Sequence, residues 1–467
     1  MISRPNRRWL FCAVSWCLLA LAGCVHYGQF RTHAEPDPKD PKGTHQSIWL
    51  PDRDKTNYYL GFIEVDDFGE LFDRGQLTRV MNLIQQAKEK STDNNAIVVT
   101  FIHGWKNNAS DDSGNVWGFR DELNYIAQQD KGGHKVVGIY IGWRGAVSNL
   151  PVIKEFSFYD RRNAAIRIPG AHLTEVLETI MHETKSCLGT DRCSEGSAPG
   201  TRSLAIIVGH SFGGMVLERS LTQAVVGDIL RQEADRKEAQ RRWIDRKNKG
   251  LESADSQGPS DDLRAPADLI AMVNEAAPAT EAKQLLDLLK KHQMKLTVDG
   301  VDQPLFLSIT SEGDAATALL MPVGQYPSKI TKKMRKYDKP DPPEIPNQST
   351  YYLHTTAHLP PLYSHLIGPE ADSNIAKAKG QASAQDVRCF MSDQLGKRYC
   401  IVPAPNRYND TPYWVMQMPK EFVPDHGTIF RPVFEDLMRE FITPLMPDKA
   451  TKPPVIQFAK AKDKDQQ

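Results

Sequence analysis

Ser203-Leu204-Ala205-Ile206-Ile207-Val208-Gly209-His210-Ser211-Phe212-Gly213-Gly214-Met215-Val216-Leu217 changes character twice within a few residues. It opens as a β-rich apolar run and closes on a pattern that continues as a helix. Between them Gly209, Ser211 and Gly213 fit the G-x-S-x-G nucleophile elbow, a sharp strand-to-helix turn that lifts a serine hydroxyl above a sheet. Crowding at such a turn leaves no room for side chains two positions either side of the serine, and glycine meets that demand at least cost. Three fixed residues at about 7% frequency each would recur by chance in roughly one chain in six of this length. The specificity therefore comes from the order strand, elbow, helix. A phosphate-cradling loop is the other use of such a turn, but the Lys of G-x-x-x-x-G-K-[ST] is missing.

On both sides of the elbow, strand-like and helix-like runs alternate. Apolar Tyr58 to Val65 precedes helical Leu77 to Lys90, and Ala96 to Ile102 precedes Val116 to Gln129. Val136 to Ile141, the helix Ala171 to Lys185, the elbow itself, Leu269 to Val273 and Leu305 to Ile309 continue the series. This order predicts an α/β fold, a mostly parallel sheet with helices on both faces, in one domain over 48–446. Two insertions interrupt it. Residues 231–262 are dense in alternating charges and then in Ser and Gly, which reads as a solvated helix extension followed by a loop. Residues 325–411, with Pro340, Pro342, Pro343 and Pro346, read as an irregular excursion, either a lid or a surface loop. The end, 447–467, reads as a disordered tail.

Ile97-Val98-Val99-Thr100-Phe101-Ile102-His103-Gly104-Trp105 is a second buried-looking strand, ending in His-Gly. With the elbow it resembles the α/β-hydrolase superfamily of serine esterases and lipases, and the likeness runs from about Ala96 to Phe430. It implies an oxyanion hole made by the backbone N–H groups of Trp105 and Phe212, with His103 as a structural hydrogen-bonding residue. The superfamily order of nucleophile, acid, histidine points downstream. Asp314, in the turn Ser311-Glu312-Gly313-Asp314 after a strand, is the expected acid; a helix cap for Ala315 to Leu320 is its other reading, and Glu275 is the rival. His426, in Val423-Pro424-Asp425-His426-Gly427 between a strand-like Trp414 to Met416 and a helical Val433 to Phe441, is the expected base. His354, His358 and His365 are the other histidines of that region. The first two are four apart without an H-E-x-x-H glutamate and read as loop residues. The resemblance implies a carboxylic-ester hydrolase working through an acyl-enzyme on Ser211, with Asp314 orienting His426, on a small-molecule or lipid ester, without metal or organic cofactor. A non-catalytic scaffold and an acyltransferase using the same triad are the alternatives.

Bulk properties agree with an ordinary globular protein: 467 residues, 40% hydrophobic and 25% charged. Basic and acidic residues balance at 58 each, which leaves no net field to attract nucleic acid. Arg4, Arg7 and Arg8 followed by apolar Trp9 to Leu21 lay out a signal peptide over 1–23, a run too short to span a bilayer comfortably. It closes on Leu21-Ala22-Gly23-Cys24, which resembles the lipobox of bacterial lipoproteins and implies lipidation of Cys24 and a membrane anchor. Val25 rather than Asp after the cysteine favours, by the same likeness, the outer membrane of a cell envelope. Residues 24–47 then read as a flexible tether. Apart from Cys12, Cys17 and Cys24, four cysteines remain: Cys187, Cys193, Cys389 and Cys400. Two local disulfides are the simplest of their three pairings, and a four-thiolate zinc site, the rival, lacks C-x-x-C spacing.

Overall fold

The computed structural model describes residues 28–34, 44–50, 58–146, 157–186, 203–251, 258, 263–405, 410–447, 449 and 454–458. The first strands are β1 (Ile48–Trp49), β2 (Tyr58–Glu64), β3 (Ala96–Ile102), β4 (Lys135–Gly142), β5 (Leu204–His210) and β6 (Leu269–Val273). There follow β7 (Met294–Val298), β8 (Val301–Asp302), β9 (Phe306–Ser311), β10 (His365–Pro369), β11 (Arg388–Ser392), β12 (Lys397–Pro403), β13 (Tyr413–Met418) and β14 (Val455–Phe458). The helices are α1 (Arg74–Lys90), α2 (Gly114–Gln129), α3 (Phe158–Arg167), α4 (Ala171–Lys185) and α5 (Phe212–Asn248). After them come α6 (Ala279–Lys291), α7 (Met321–Ile330), α8 (Gln348–Leu353), α9 (Ser373–Gln381) and α10 (Pro432–Ile442).

Eight strands form the central sheet in the order β1-β2-β4-β3-β5-β6-β9-β13, parallel from β2 onward with β1 antiparallel at one edge. The alternation of side chains explains why its inner strands are largely apolar on both faces. Val98, Ala205, Ile207, Ile270 and Met272 pack into one core with α1, α4, α5 and α6. Ile97, Val99, Leu204, Ile206, Leu269 and Ala271 pack into the other, with α2 and α10. The expected α/β architecture with helices on both faces is thus present, and the turns after β3, β5, β6, β9 and β13 all open at the carboxyl edge.

The structure corrects three expectations outside that sheet. The described part of the tether is docked: Arg31 is fully buried, its Nη2 lies 2.6 Å from Asp111 Oδ1, its Nε donates to Ala109 O, and its backbone N donates to Glu64 Oε1 at 2.7 Å. Paired on all sides, the guanidinium tolerates burial. The excursion 325–411 is not irregular, because β10, β12 and β11 make a three-stranded antiparallel sheet. Its apolar side chains Ile367, Phe390, Tyr399 and Ile401 pack into the α10 side of the core. Cys389 and Cys400 face each other across β11 and β12 and form a disulfide, so neither sulfur is a thiolate ligand. The tail is ordered at 455–458, where β14 pairs with β7 and buries Ile456 completely. In the charged insertion the helix reading holds to Asn248, the end of α5. Cys24, Cys187 and Cys193 lie outside the described residues.

Candidate active site

The turn between β5 and α5 carries Ser211 at φ 59° and ψ −122°, a left-handed-region angle that a side chain tolerates only when its surroundings enforce it. Here they do. The Ser211 N–H donates to Val273 O at 3.1 Å on β6, and its carbonyl accepts from the Ala276 N–H at 3.1 Å. The glycines expected from crowding are required by it: a Cβ on Gly209 would stand 2.6 Å from Gly213 O, and one on Gly213 would stand 2.1 Å from Ile102 O. The β3 turn closes over the same point, since a Cβ on Gly104 would meet Ser211 Cβ at 2.6 Å.

Three residues distant in sequence converge here. His426 Nε2 lies 2.6 Å from Ser211 Oγ, and His426 Nδ1 lies 2.9 Å from each oxygen of Asp314. Asp314 is fully buried, and burial alone would push its carboxyl up. The hydrogen bonds from His426 and Thr317 outweigh that and hold it below the ordinary carboxylate range. Both readings of Asp314 apply at once, because its Oδ1 also accepts from the Thr317 backbone N–H at 3.1 Å. His426 is partly open to solvent, its side chain 25% exposed.

Of the rivals, Glu275 faces away from this group. Its buried carboxyl abuts that of Glu218, itself bonded by the Tyr413 hydroxyl, and burial pushes Glu275 up to about 8 and Glu218 well above its usual value. His354 Nδ1 bonds Thr350 O, and His365 stacks on Trp414 at 3.8 Å. His103 orders the β3 turn: its Nδ1 pairs with Gly104 O at 2.9 Å and its Nε2 accepts from the Trp143 N–H at 3.1 Å. Burial pushes it down to about 4, so it stays neutral. Trp105 packs on Phe158, which packs on Phe212, placing the two expected oxyanion donors on turns that flank Ser211. Phe212 is the first residue of α5, where backbone N–H groups have no intrahelical partner.

Three residues of this neighbourhood, His210, Asn274 and Thr317, were not singled out from the sequence, and a fourth, His358, was read there as a loop residue. His210 Nε2 donates to the His426 carbonyl at 2.7 Å, and Asn274 Nδ2 donates to the same oxygen at 3.1 Å, so two side chains from the β5 and β6 ends fix the histidine loop. Thr317 Oγ1 donates to Asp314 Oδ2 at 2.6 Å and must therefore accept from His358 Nε2, 2.9 Å away. That leaves His358 Nδ1 to accept from Gln417 Nε2 at 3.4 Å. The result is a one-way row of donors that ends on the buried carboxylate. His210 had a signal in the motif, standing directly before the serine; His358 had none, since only the folding of the 325–411 insertion brings it to Thr317.

Such a constellation can deprotonate a hydroxyl as it attacks an electrophilic carbon and hold the resulting imidazolium against a buried carboxylate. Comparison of the chain with protein-family models, with curated proteins and with solved structures finds no match.

Proposed function

We propose that this chain is a serine hydrolase of the α/β-hydrolase fold that cleaves carboxylic esters through an acyl-enzyme on Ser211. The observation that carries the reading is the unbroken contact Ser211 Oγ to His426 Nε2 to Asp314, 2.6 Å and 2.9 Å, at a serine held at positive φ. In the reaction His426 Nε2 takes the Ser211 proton as Oγ bonds to the carbonyl carbon. The N–H groups of Trp105 and Phe212 receive the developing oxyanion, a donation worth roughly 3 to 4 kcal/mol each in comparable sites. The alcohol leaves with the proton from His426, and a water deprotonated by the same nitrogen then releases the carboxylic acid. The strand order supports the fold assignment, as a parallel sheet presents ligand sites at its carboxyl edge. For residues 1–24 the proposal is an export signal and an acylated Cys24 that hold the enzyme in a bacterial cell envelope, at the outer membrane.

The test is covalent labelling with a fluorophosphonate, followed by turnover of esters of graded acyl length. Wild type should label, and Ser211→Ala and His426→Ala should not. Labelling that survives Ser211→Ala overturns the nucleophile assignment, and a wild type that neither labels nor turns over any ester favours a non-catalytic scaffold. Metabolic incorporation of labelled palmitate, lost in Cys24→Ala, tests the anchor.

A further inference from the structure

A surface helix ordinarily turns its apolar stripe inward. The turn Ala316–Leu320 and α7 do the reverse. Thr317, Met321 and Gln325 are buried, Gln325 Oε1 accepting from Arg162 Nη2 at 2.9 Å. Outside, Leu319, Val323, Tyr326 and Ile330 are 64%, 70%, 57% and 77% exposed. Their spacing of four, three and four puts them on one stripe, and the exposed ring of Tyr159 lies beside it at Gly324. Scattered exposed apolar residues need no explanation, but a continuous stripe marks an interaction surface.

The charge that follows says with what. Lys329, Lys332, Lys333, Arg335 and Lys336 crowd the end of the stripe, and no Asp or Glu occurs between Ala315 and Tyr337 in a chain that is otherwise balanced. Lys332, Lys333, Arg335 and Lys336 are exposed, and among the described residues none of the five cations is in an ion pair. Lys329 Nζ instead lies over the Tyr326 ring and Lys332 Nζ over that of Tyr352, each at 5.6 Å.

We infer that this stripe and its cationic end dock on an anionic lipid bilayer. Apolar side chains backed by lysines are the pattern of a helix lying in the interface, the former sinking to the headgroup boundary and the latter drawn to anionic headgroups. A protein partner fits less well, because four of the five cations are lysines, which protein interfaces deplete. α7 leaves the carboxyl edge of the sheet directly after Asp314, so docking turns that edge toward the membrane whatever chemistry occurs there.

The test is acylation footprinting of the full-length chain on vesicles, read lysine by lysine by mass spectrometry. A local readout separates this surface from any binding by the N-terminus. On mixed phosphatidylcholine–phosphatidylglycerol vesicles, labelling of Lys332, Lys333 and Lys336 should fall severalfold relative to pure phosphatidylcholine, with Lys249 and Lys397 unchanged. Leu319→Ser/Val323→Ser/Ile330→Ser should restore labelling while keeping the wild-type thermal transition, and Ile330→Ser alone should restore part of it. Unchanged labelling, equal protection on neutral vesicles, or protection that survives these substitutions would each overturn the assignment.

Discussion

Asp314 is the one carboxylate of the proposed triad, yet three side chains beyond it bear on that carboxylate. Thr317 donates to it at 2.6 Å, His358 stands 2.9 Å behind Thr317, and Gln417 3.4 Å behind His358. Burial keeps His358 below its ordinary value and hence neutral near pH 7, the state in which this row has a single direction. Thr317→Val removes the donor and leaves the shape. A hydrogen bond to a charged group contributes about 1.5 to 3 kcal/mol, and only the part that strengthens in the transition state enters the barrier, so the rate of acylation should fall by up to roughly a hundredfold. The acid limb of kcat/KM should also move to higher pH, because a carboxylate with fewer donors holds a proton more tightly. His358→Ala, acting through Thr317, should move both in the same direction by less. Stopped-flow labelling with a chromogenic phosphonate across pH checks this, and unchanged rates and limb in Thr317→Val would make the row merely structural.

At the scale of elements, β14 makes a sharper test than any strand of the central sheet. Its Ile456 is fully buried, pairs with Leu296, and donates its N–H to Leu263 O at 2.9 Å. Ile456→Ala should cost about 2 to 5 kcal/mol, measured as a lowered urea midpoint, whereas a change within about 0.5 kcal/mol is what a free tail would give. The same strand shows where legibility ends. β3, β5 and β6 were readable because a strand buried on both faces is apolar at nearly every position, as Ala96 to Ile102 is but for Thr100. β14 has four residues between Pro454 and a lysine-rich end, and only contact with β7 identifies it. Segment 28–34 misled for the opposite reason: Arg31 looks solvated until Glu64 and Asp111 are brought to it. Ser211, Asp314 and His426 were readable because each sits in a local turn after a strand. Thr317, His358 and Asn274 act through partners that no local pattern announces.

The molecule as a whole stacks two buried proton-binding groups around one sheet end, and their opposite shifts fix how its stability responds to pH. His103 and His210 are held at about 4 and about 3, for both chiefly by burial. The unfolded chain takes up these two protons near pH 6.5 while the folded chain refuses them, so their effect is stabilising above that pH and destabilising as pH falls. Glu275 and Glu218, facing Tyr413 and the Glu281–Arg219 pair, are raised by burial, Glu275 to about 8. The folded chain keeps protons there that the unfolded chain has already lost near pH 4.5, so their contribution is complete below that pH and declines as pH climbs toward 8. From about pH 7.5 upward these histidines are neutral in both states, and the slope is set by groups that lose a native-state proton near pH 8: the Glu275–Glu218 pair, with Glu122, raised to about 8, and Lys88, lowered to about 8, both chiefly by burial. The carboxyls outnumber Lys88, whose lowered value acts in the opposite sense, so the thermal midpoint of wild type should fall between about pH 7.5 and 8, at about 1.4 kcal/mol of stability per pH unit for each proton released. Glu275→Gln supplies a permanently neutral group of the same shape and should flatten the decline while leaving the acid-side loss intact. A calorimetric series from pH 4 to pH 9 reads both limbs at once, and a decline above pH 7.5 that Glu275→Gln leaves unchanged would mean that the pair is ionised, and hydrated, in the native protein.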